Sequence, residues 1–307
     1  MKKKKDEGMV ILEYLPWKDG LIVIETGVNL VVRIRKNNQI LWNKNVSYEE
    51  IKLVAFTYKG FDENNRIGYV MMPKEKCKGL VLDIHGGPHF CHGFAFSLDV
   101  HVLTKEGYAV VYSNPAGSQG GGEELCAASY HDWGGKDYRE LLQVMDAVTN
   151  LPEFQNSKLK WAVKGGSYGG YMVNWMIGHS NRFTCAISER STCNRYSQAG
   201  TSDCAFRYGK FEFDGLPWEH TEHYMERSPI TYVKRVETPI LLIHGGNDRN
   251  CSVSQSEEFY SALMQEGKEA YFALFEGQNH SFPISGNPKS REERYKLLIW
   301  WLNRYMK

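Results

Sequence analysis

One short stretch limits the fold of this chain more than any other. Residues 161–171 read WAVKGGSYGGY and place Ser167 between Gly165 and Gly169. This G-x-S-x-G pattern is typical of a sharp turn that joins a strand to a helix and exposes the serine at its tip. Side chains two residues before or after that serine would collide across the turn, and glycine removes the collision. Apolar residues on both sides predict the strand and the helix that the turn requires.

From Gly79 onward, short apolar strands alternate with longer helical segments, which is typical of a parallel sheet with crossover helices. With the serine turn, this pattern predicts an α/β-hydrolase fold, with a mostly parallel central sheet and helices on both faces. Residues 190–228 are rich in aromatic residues and glycine, and they predict an irregular, functional excursion over the sheet edge. The predicted strands are 80–84, 108–113, 184–188, 239–243 and 270–275, and the predicted helices are 137–148, 254–265 and 290–305.

The first part of the chain has a different pattern. Residues 9–72 alternate between apolar and polar positions, with turn residues such as Asn37 and Asn38 between the runs. This predicts a meander of short antiparallel strands. No period of 40 to 50 residues repeats in the sequence, so the segment holds at most about one propeller blade. We expect a small N-terminal β segment at 1–51 and a catalytic domain at 52–307.

Charge and composition narrow the class of partner. The 37 Lys and Arg nearly cancel the 36 Asp and Glu, and the net charge is +1. A nearly neutral chain lacks the basic excess of a protein that binds nucleic acid or a membrane surface. With 42% hydrophobic and 24% charged residues in 307 positions, the chain has the composition of an ordinary globular protein with a sizeable core.

The basic start, MKKKKDEG, is not followed by the apolar run of an export signal, so we expect none. The seven cysteines lack C-x-x-C spacing and predict reduced thiols in a cytoplasmic protein. We interpret Cys251 as an incidental loop cysteine, although it lies close in sequence to a candidate catalytic acid. No metal or cofactor is expected. Homo-oligomer formation is left open by the sequence.

A serine hydroxyl needs help to act as a nucleophile at neutral pH. It requires a base within hydrogen-bonding reach and a carboxylate that orients the base. Asp248 follows a predicted strand and a Gly pair, and His280 lies in the loop after the next strand. The order serine, acid, base is the one that α/β-hydrolases use. We therefore predict a catalytic triad of Ser167, Asp248 and His280.

An acyl-transfer site must also stabilise the oxyanion that forms on the attacked carbonyl. The backbone N–H of Tyr168 follows the nucleophile and is the first predicted donor. The loop after an earlier strand reads HGGPH, in which glycines allow a close backbone approach, and Gly87 is the second predicted donor. The alternative for this loop is a simple strand-ending turn.

A substrate pocket is less distinct in the sequence. Several side chains near the serine turn or in the long excursion are candidates to line it. Aromatic residues in these places are as often part of the domain core. The candidates are Phe90, Tyr168, Arg190, Tyr196, Phe206 and Tyr208.

These motifs, taken together and in order, resemble the catalytic domain of the prolyl oligopeptidase family, most closely its acylaminoacyl-peptidase-like branch. The resemblance covers about residues 52–307. It implies a serine peptidase with nucleophile Ser167, acid Asp248, base His280 and an oxyanion donor at Gly87. The motifs are HGGPH at 85–89, NPAGSQGGG at 114–122, DWGGKD at 132–137, GGSYGGY at 165–171, SER at 188–190, TSD at 201–203, ERSPITYV at 226–233, HGGNDRNCSV at 244–253 and GQNHSF at 277–282.

Members of that family cut short peptides, and many carry an N-terminal β-propeller that excludes folded proteins. This sequence departs from the family in two ways: Ala116 stands where the family often has arginine, and the segment before residue 52 is too short for a full propeller. We expect hydrolysis of short peptides or acyl-peptides through an acyl-enzyme. The alternatives are a carboxylesterase that uses the same triad and a non-catalytic binding remnant.

Overall fold

A computed structural model describes residues 9–18, 20–45, 50–155 and 157–307, without the side chains of residues 45, 206–208 and 210. The basic start of the chain therefore lies outside the described residues. Within them the strands form a four-stranded sheet and an eight-stranded sheet.

The four-stranded sheet is an antiparallel meander in the order β1-β2-β3-β4, as the alternating pattern predicted. It contacts the rest of the protein through the β2–β3 hairpin, where the His101 ring donates to the backbone oxygen of Val28 over 2.8 Å. The Ile51 N–H also donates to the Asn29 side chain over 2.9 Å. The strands are β1 (Met9–Trp17), β2 (Gly20–Gly27), β3 (Leu30–Lys36) and β4 (Gln39–Asn45).

The eight-stranded sheet has the order β12-β11-β10-β9-β7-β8-β6-β5. β5 and β6 pair antiparallel, β6 joins β8 antiparallel, and every other neighbouring pair is parallel. The predicted boundary after residue 51 stays a prediction. The strands are β5 (Lys52–Lys59), β6 (Asn65–Met72), β7 (Gly79–Ile84), β8 (Tyr108–Tyr112), β9 (Trp161–Gly166), β10 (Cys185–Glu189), β11 (Ile240–Gly245) and β12 (Ala270–Phe275).

Helices cover both faces of the larger sheet. Because successive strand residues point to opposite faces, Leu80 and Leu82 of β7 pack in the apolar cluster with α3, α4 and α8, whereas Val81 packs in the cluster with α1 and α10. This confirms the α/β-hydrolase fold. The helices are α1 (Leu98–Lys105), α2 (Glu123–Ala127), α3 (Lys136–Thr149), α4 (Tyr168–His179), α5 (Arg195–Thr201), α6 (Ala205–Glu212), α7 (Thr221–Glu226), α8 (Ser254–Gln265), α9 (Phe282–Ser285) and α10 (Pro288–Tyr305).

The structure differs from the sequence prediction over residues 190–228. Instead of an irregular excursion, this segment contains α5, α6 and α7, and a 3-10 helix follows at Pro229–Arg235. These helices have six to eight residues each, too few for a clear helical period, and tertiary packing stabilises helices of this length more than propensity does. No helix in the described ranges is long and apolar enough to span a bilayer.

A buried cluster of charged side chains lies between the sheet and helices α1 and α10. Lys164 of β9 contacts Asp83 of β7 at 3.1 Å and Asp99 of α1 at 2.7 Å. Arg294 of α10 donates to Asp99 and to Glu189 of β10, each over 2.7 Å. Buried charges are tolerated when they are paired and hydrogen-bonded. The cluster therefore joins three strands and two helices beneath the carboxyl edge of the sheet.

Replacing Arg294 with methionine should strongly destabilise the protein. The change leaves the carboxylates of Asp99 and Glu189 buried with only Lys164 as a cation, and breaking a buried pair costs about 3–5 kcal/mol. We expect a loss of that size in the free energy of unfolding measured with urea. The control is Arg304→Met, which removes an exposed pair with Glu269 and should change stability by less than ~0.5 kcal/mol. Equal effects of the two variants would contradict the prediction.

Candidate active site

Ser167 lies in the strained turn that its sequence motif predicts. It follows β9 and caps α4, with φ of 61°, a left-handed conformation that is rare outside glycine. Its N–H donates to the Glu189 backbone oxygen over 3.0 Å. A Cβ on Gly165 would lie 2.5 Å from the Gly169 backbone, and one on Gly169 would lie 2.1 Å from the Ile84 oxygen. Both glycines are therefore required by close backbone contact.

Asp248 and His280 are brought together at the same edge of the sheet. Asp248 follows β11, His280 follows β12, and the Nδ1 of His280 lies 2.7 Å from an Asp248 carboxylate oxygen. The carboxylate is buried, whereas the His280 ring is 20% exposed. An ionised carboxylate only accepts hydrogen bonds, so Nδ1 carries a proton, and in the neutral ring Nε2 is the nitrogen with the free lone pair. This is the tautomer that a general base needs.

The Asp248 carboxylate has more partners than the sequence analysis predicted. One oxygen accepts the N–H groups of Asn250 and Cys251, each over 2.9 Å. The other faces His244 of β11 at 3.3 Å as well as His280. Burial alone would raise the pKa of Asp248, but the two neighbouring histidine rings outweigh it and lower that pKa to about 2. In the sequence His244 stands out only as the first residue of HGGNDRNCSV, and its spacing of four residues from Asp248 is the one signal of this contact.

Cys251 is not the incidental loop cysteine that we expected. It is buried, its N–H donates to Asp248, and its thiol lies near the Ser167 side chain. Burial and the Asp248 charge raise the pKa of this thiol to about 12, so it stays protonated. Cys251 therefore links the turn that carries Ser167 to the loop that carries Asp248. Sequence distance could not show this, because the contact crosses from β9 to β11.

The HGGPH loop lies directly against the nucleophile. A Cβ on Gly86 would be 3.5 Å from the Ser167 Cβ, and Gly87 has φ of 121°, which favours glycine. Within the described residues, the N–H groups of Gly87 and Tyr168 make no hydrogen bond. An oxyanion hole requires N–H groups that are free to donate to the substrate, and these two groups meet that requirement.

A second loop supports the HGGPH loop. Burial lowers the pKa of His85 to about 3, so its ring is neutral. Its Nδ1–H donates to the Gly86 oxygen, and Nε2 accepts the Ser118 hydroxyl over 2.9 Å. The Gln119 N–H also donates to the Phe90 oxygen over 3.0 Å. The NPAGSQ segment thus holds the HGGPH loop in place.

The Tyr168 side chain does not line a pocket, so that part of the sequence prediction is wrong. The ring is buried, and its hydroxyl donates to the Asp137 carboxylate at the start of α3. It also packs edge-on against Trp133 with ring centroids 4.9 Å apart. As the first residue of α4, Tyr168 points its side chain into the core, whereas its backbone N–H lies at the edge of the sheet. The DWGGKD motif therefore anchors the residue that follows the nucleophile.

The remaining pocket candidates divide into three groups. Phe90 is 66% exposed, and its ring lies near Gly86, which also faces Ser167. The Arg190 guanidinium lies against Gly166, next to Ser167. Tyr196 lies on α5 and is 39% exposed. Phe206 and Tyr208 lie on α6, and their side chains fall outside the described part of the chain.

Comparison with known proteins agrees with this geometry. The model of the prolyl oligopeptidase family matches residues 94–307. The chain belongs to the prolyl oligopeptidase family. This confirms the resemblance drawn from the motifs and classes the chain with the serine peptidases.

Individual proteins that are similar to this chain are also peptidases. The uncharacterized peptidase YuxL of Bacillus subtilis is 38% identical over 244 residues, which are 78% of this chain and 37% of the relative. The Pyrococcus horikoshii acylaminoacyl peptidase has a TM-score of 0.89 at 26% identity, over 97% of this chain and 50% of that one. An acylaminoacyl peptidase in complex with Z-Gly-Gly-Phe-chloromethyl ketone gives the same TM-score and identity over 98% and 50%. This prolyl oligopeptidase family chain thus spans about half or less of the relatives it matches.

A methyl group at Gly169 should disrupt the serine turn. In Gly169→Ala the added Cβ would lie 2.1 Å from the Ile84 oxygen, and the clash is with backbone that cannot turn away. We expect a loss of about 3 kcal/mol or more in unfolding free energy. The control is Gly200→Ala, because nothing lies within 4 Å of a Cβ there and alanine is the better helix former. Unchanged stability of Gly169→Ala in urea denaturation would contradict the prediction.

The depressed pKa of Asp248 should make its contribution to stability depend on pH. The pKa falls from 3.8 to about 2 on folding, so the ionised group stabilises the fold above its unfolded pKa, and this stabilisation is lost as pH falls toward 2. The stability gap between wild type and Asp248→Asn should narrow by about 1 kcal/mol between about pH 5 and pH 3. Urea denaturation at each pH measures the gap, and a constant gap would contradict the assignment.

Proposed function

We propose that this chain is a serine peptidase domain that hydrolyses amide bonds of short peptides through an acyl-enzyme on Ser167. The observation that carries the proposal is the 2.7 Å hydrogen bond between His280 and buried Asp248, at the sheet edge where the strained turn presents Ser167. Membership of the prolyl oligopeptidase family supports amide bonds as the target.

In the first step the Ser167 hydroxyl attacks the scissile carbonyl carbon. His280 takes the hydroxyl proton on Nε2, because Nδ1–H is committed to Asp248. Asp248 keeps its negative charge, since its pKa of about 2 lies far below neutral pH, and it stabilises the imidazolium that forms.

The attacked carbonyl oxygen becomes an oxyanion. We assign the N–H groups of Tyr168 and Gly87 as its hydrogen-bond donors. Both are free of partners among the described residues, and the contact between Gly86 and Ser167 supports the second donor. Donors fixed in this way need no rearrangement when the charge develops.

Collapse of the tetrahedral intermediate expels the amine of the leaving peptide. His280 returns its proton to that amine, and the acyl group stays on Ser167 as an ester. A water molecule then attacks the ester, with His280 again acting as base, and releases the acid product.

The proposed substrate class is based on similarity to a peptidase of known structure. A similar structure carries Z-Gly-Gly-Phe-chloromethyl ketone, a short peptide derivative. We therefore propose a short peptide or acyl-peptide as substrate, next to the exposed Phe90 ring. We assign the chemistry to residues 52–307 as the catalytic unit, which follows a small N-terminal segment at residues 1–51.

Ser167→Ala should abolish covalent labelling by a fluorophosphonate probe and reduce the turnover of a peptide anilide by about 10⁴-fold or more, because the nucleophile is gone. The matched control is Ser261→Ala, an exposed serine on α8, which should label and turn over like wild type. Labelling is read by mass spectrometry of the modified peptide.

Two outcomes would contradict the proposal. Undiminished labelling of Ser167→Ala, or no labelling of wild type, would remove Ser167 as nucleophile and favour a non-catalytic binding role. Hydrolysis of a p-nitrophenyl ester without hydrolysis of any peptide anilide would make the protein an esterase.

A further inference from the structure

Arg190 has an unusual backbone for an arginine. It follows β10 directly and has φ of 40°, in the left-handed region that L-residues with long side chains rarely adopt. Its N–H donates to the Ile243 oxygen of β11 over 2.7 Å, which fixes this conformation. A left-handed conformation costs about 1–3 kcal/mol in a residue other than glycine, and strained residues of this kind cluster at active sites and ligand-binding sites.

This conformation brings the Arg190 guanidinium against the residue before the nucleophile. A Cβ on Gly166 would lie 2.4 Å from Nη1, 2.7 Å from Cζ and 2.9 Å from Nη2. The absence of a side chain at Gly166 is therefore what makes room for the guanidinium. Because adjacent Cα atoms are about 3.8 Å apart, the guanidinium lies within about 8 Å of the Ser167 Cα.

The Arg190 guanidinium makes no hydrogen bond or ion pair within the described part of the chain, although it is only partly exposed. Nearby carboxylates are already occupied. Glu189 binds Arg294 over 2.7 Å, and Asp248 binds His280 and His244. A guanidinium has five N–H donors, so this cation has free donors at the nucleophile.

We propose that Arg190 is a specificity residue that binds a carboxylate of the substrate within one or two residues of the scissile bond. The inference rests on the proposed peptidase function. One residue of extended peptide spans about 3.3–3.6 Å, so a group one or two residues from the acylated carbonyl reaches the guanidinium. The preferred substrates are therefore acidic short peptides.

A carboxylate fits better than a neutral carbonyl for a physical reason. The planar guanidinium fork matches two carboxylate oxygens, and charge-assisted pairs of this kind are about twice as strong as neutral ones. No carboxylate among the described residues competes for it. The carboxylate has two sources in a peptide, an acidic side chain or the free C-terminus.

Matched peptides distinguish these sources. One pair carries Glu or Gln beside the scissile bond on the acyl side, and a second pair carries Glu or Gln on the leaving side. A third pair has the same neutral sequence with either a free C-terminal carboxylate or an amide one residue beyond the bond. Values of kcat/KM are measured by mass spectrometry of the products for wild type, Arg190→Met and Arg190→Lys. The control is Arg182→Met, which removes a distant, exposed ion pair with Asp146.

Wild type should prefer the carboxylate member of at least one pair by about 10- to 100-fold, mainly through KM. Arg190→Met should lose this preference, because kcat/KM falls much more for the carboxylate member of the pair than for the neutral member. Arg190→Lys should keep part of the preference, because lysine retains the charge without the fork. Added salt should weaken the preference. Arg182→Met should behave as wild type.

Three results distinguish a failure of the Arg190 inference from a failure of the proposed peptidase function. If Arg190→Met slows both members of every pair equally, the residue is structural or binds a peptide carbonyl, and the inference is overturned. If wild type cleaves neutral and acidic peptides equally well, the inference also fails, but the peptidase function stands. If wild type cleaves no peptide and takes no fluorophosphonate label, the proposed function itself fails.

Discussion

Helix α4 begins so close to the end of β7 that a Cβ on Gly169 would lie 2.1 Å from the Ile84 oxygen, so only a hydrogen atom fits at that position. This contact holds Ser167 in its left-handed conformation and sets the HGGPH loop against the nucleophile. Every other part of the candidate site is arranged around it. Two backbone hydrogen bonds stabilise the strained backbone of Ser167. Its N–H donates to the Glu189 oxygen, and its oxygen accepts the N–H of Tyr171.

The elements that support the site are buried on both faces of the sheet. On one face, Asp137 accepts the Tyr168 hydroxyl and fixes the start of α4. On the other face, Lys164 binds Asp83 and Asp99 three residues before the nucleophile. A buried ionic cluster adds little net stability compared with apolar packing, but it penalises any other arrangement of the strands that carry it. The site is thus positioned by polar contacts that would be costly to break.

Family membership and local geometry answer different questions about this protein. The family describes the type of chemistry, whereas we propose that substrate preference depends on side chains beside Ser167, such as Phe90 and Arg190. The chain also spans about a third of the length of its curated relative YuxL. For this reason, its substrate preference is best deduced from the residues beside Ser167.

The sequence alone determined the fold class, the serine turn, the order of Ser167, Asp248 and His280, and most strand and helix positions, because these depend on local periodicity and on glycine at forced positions. It did not show the short helices α5 to α7, which are stabilised by packing and not by their own period. It also missed His244 beneath Asp248, the Cys251 thiol beside Ser167 and the guanidinium of Arg190 over Gly166. The tertiary structure decided the contacts of Cys251 and Arg190, because each joins residues from different strand ends. It also decided the contact of His244 with Asp248, because the turn after β11 brings these two side chains together.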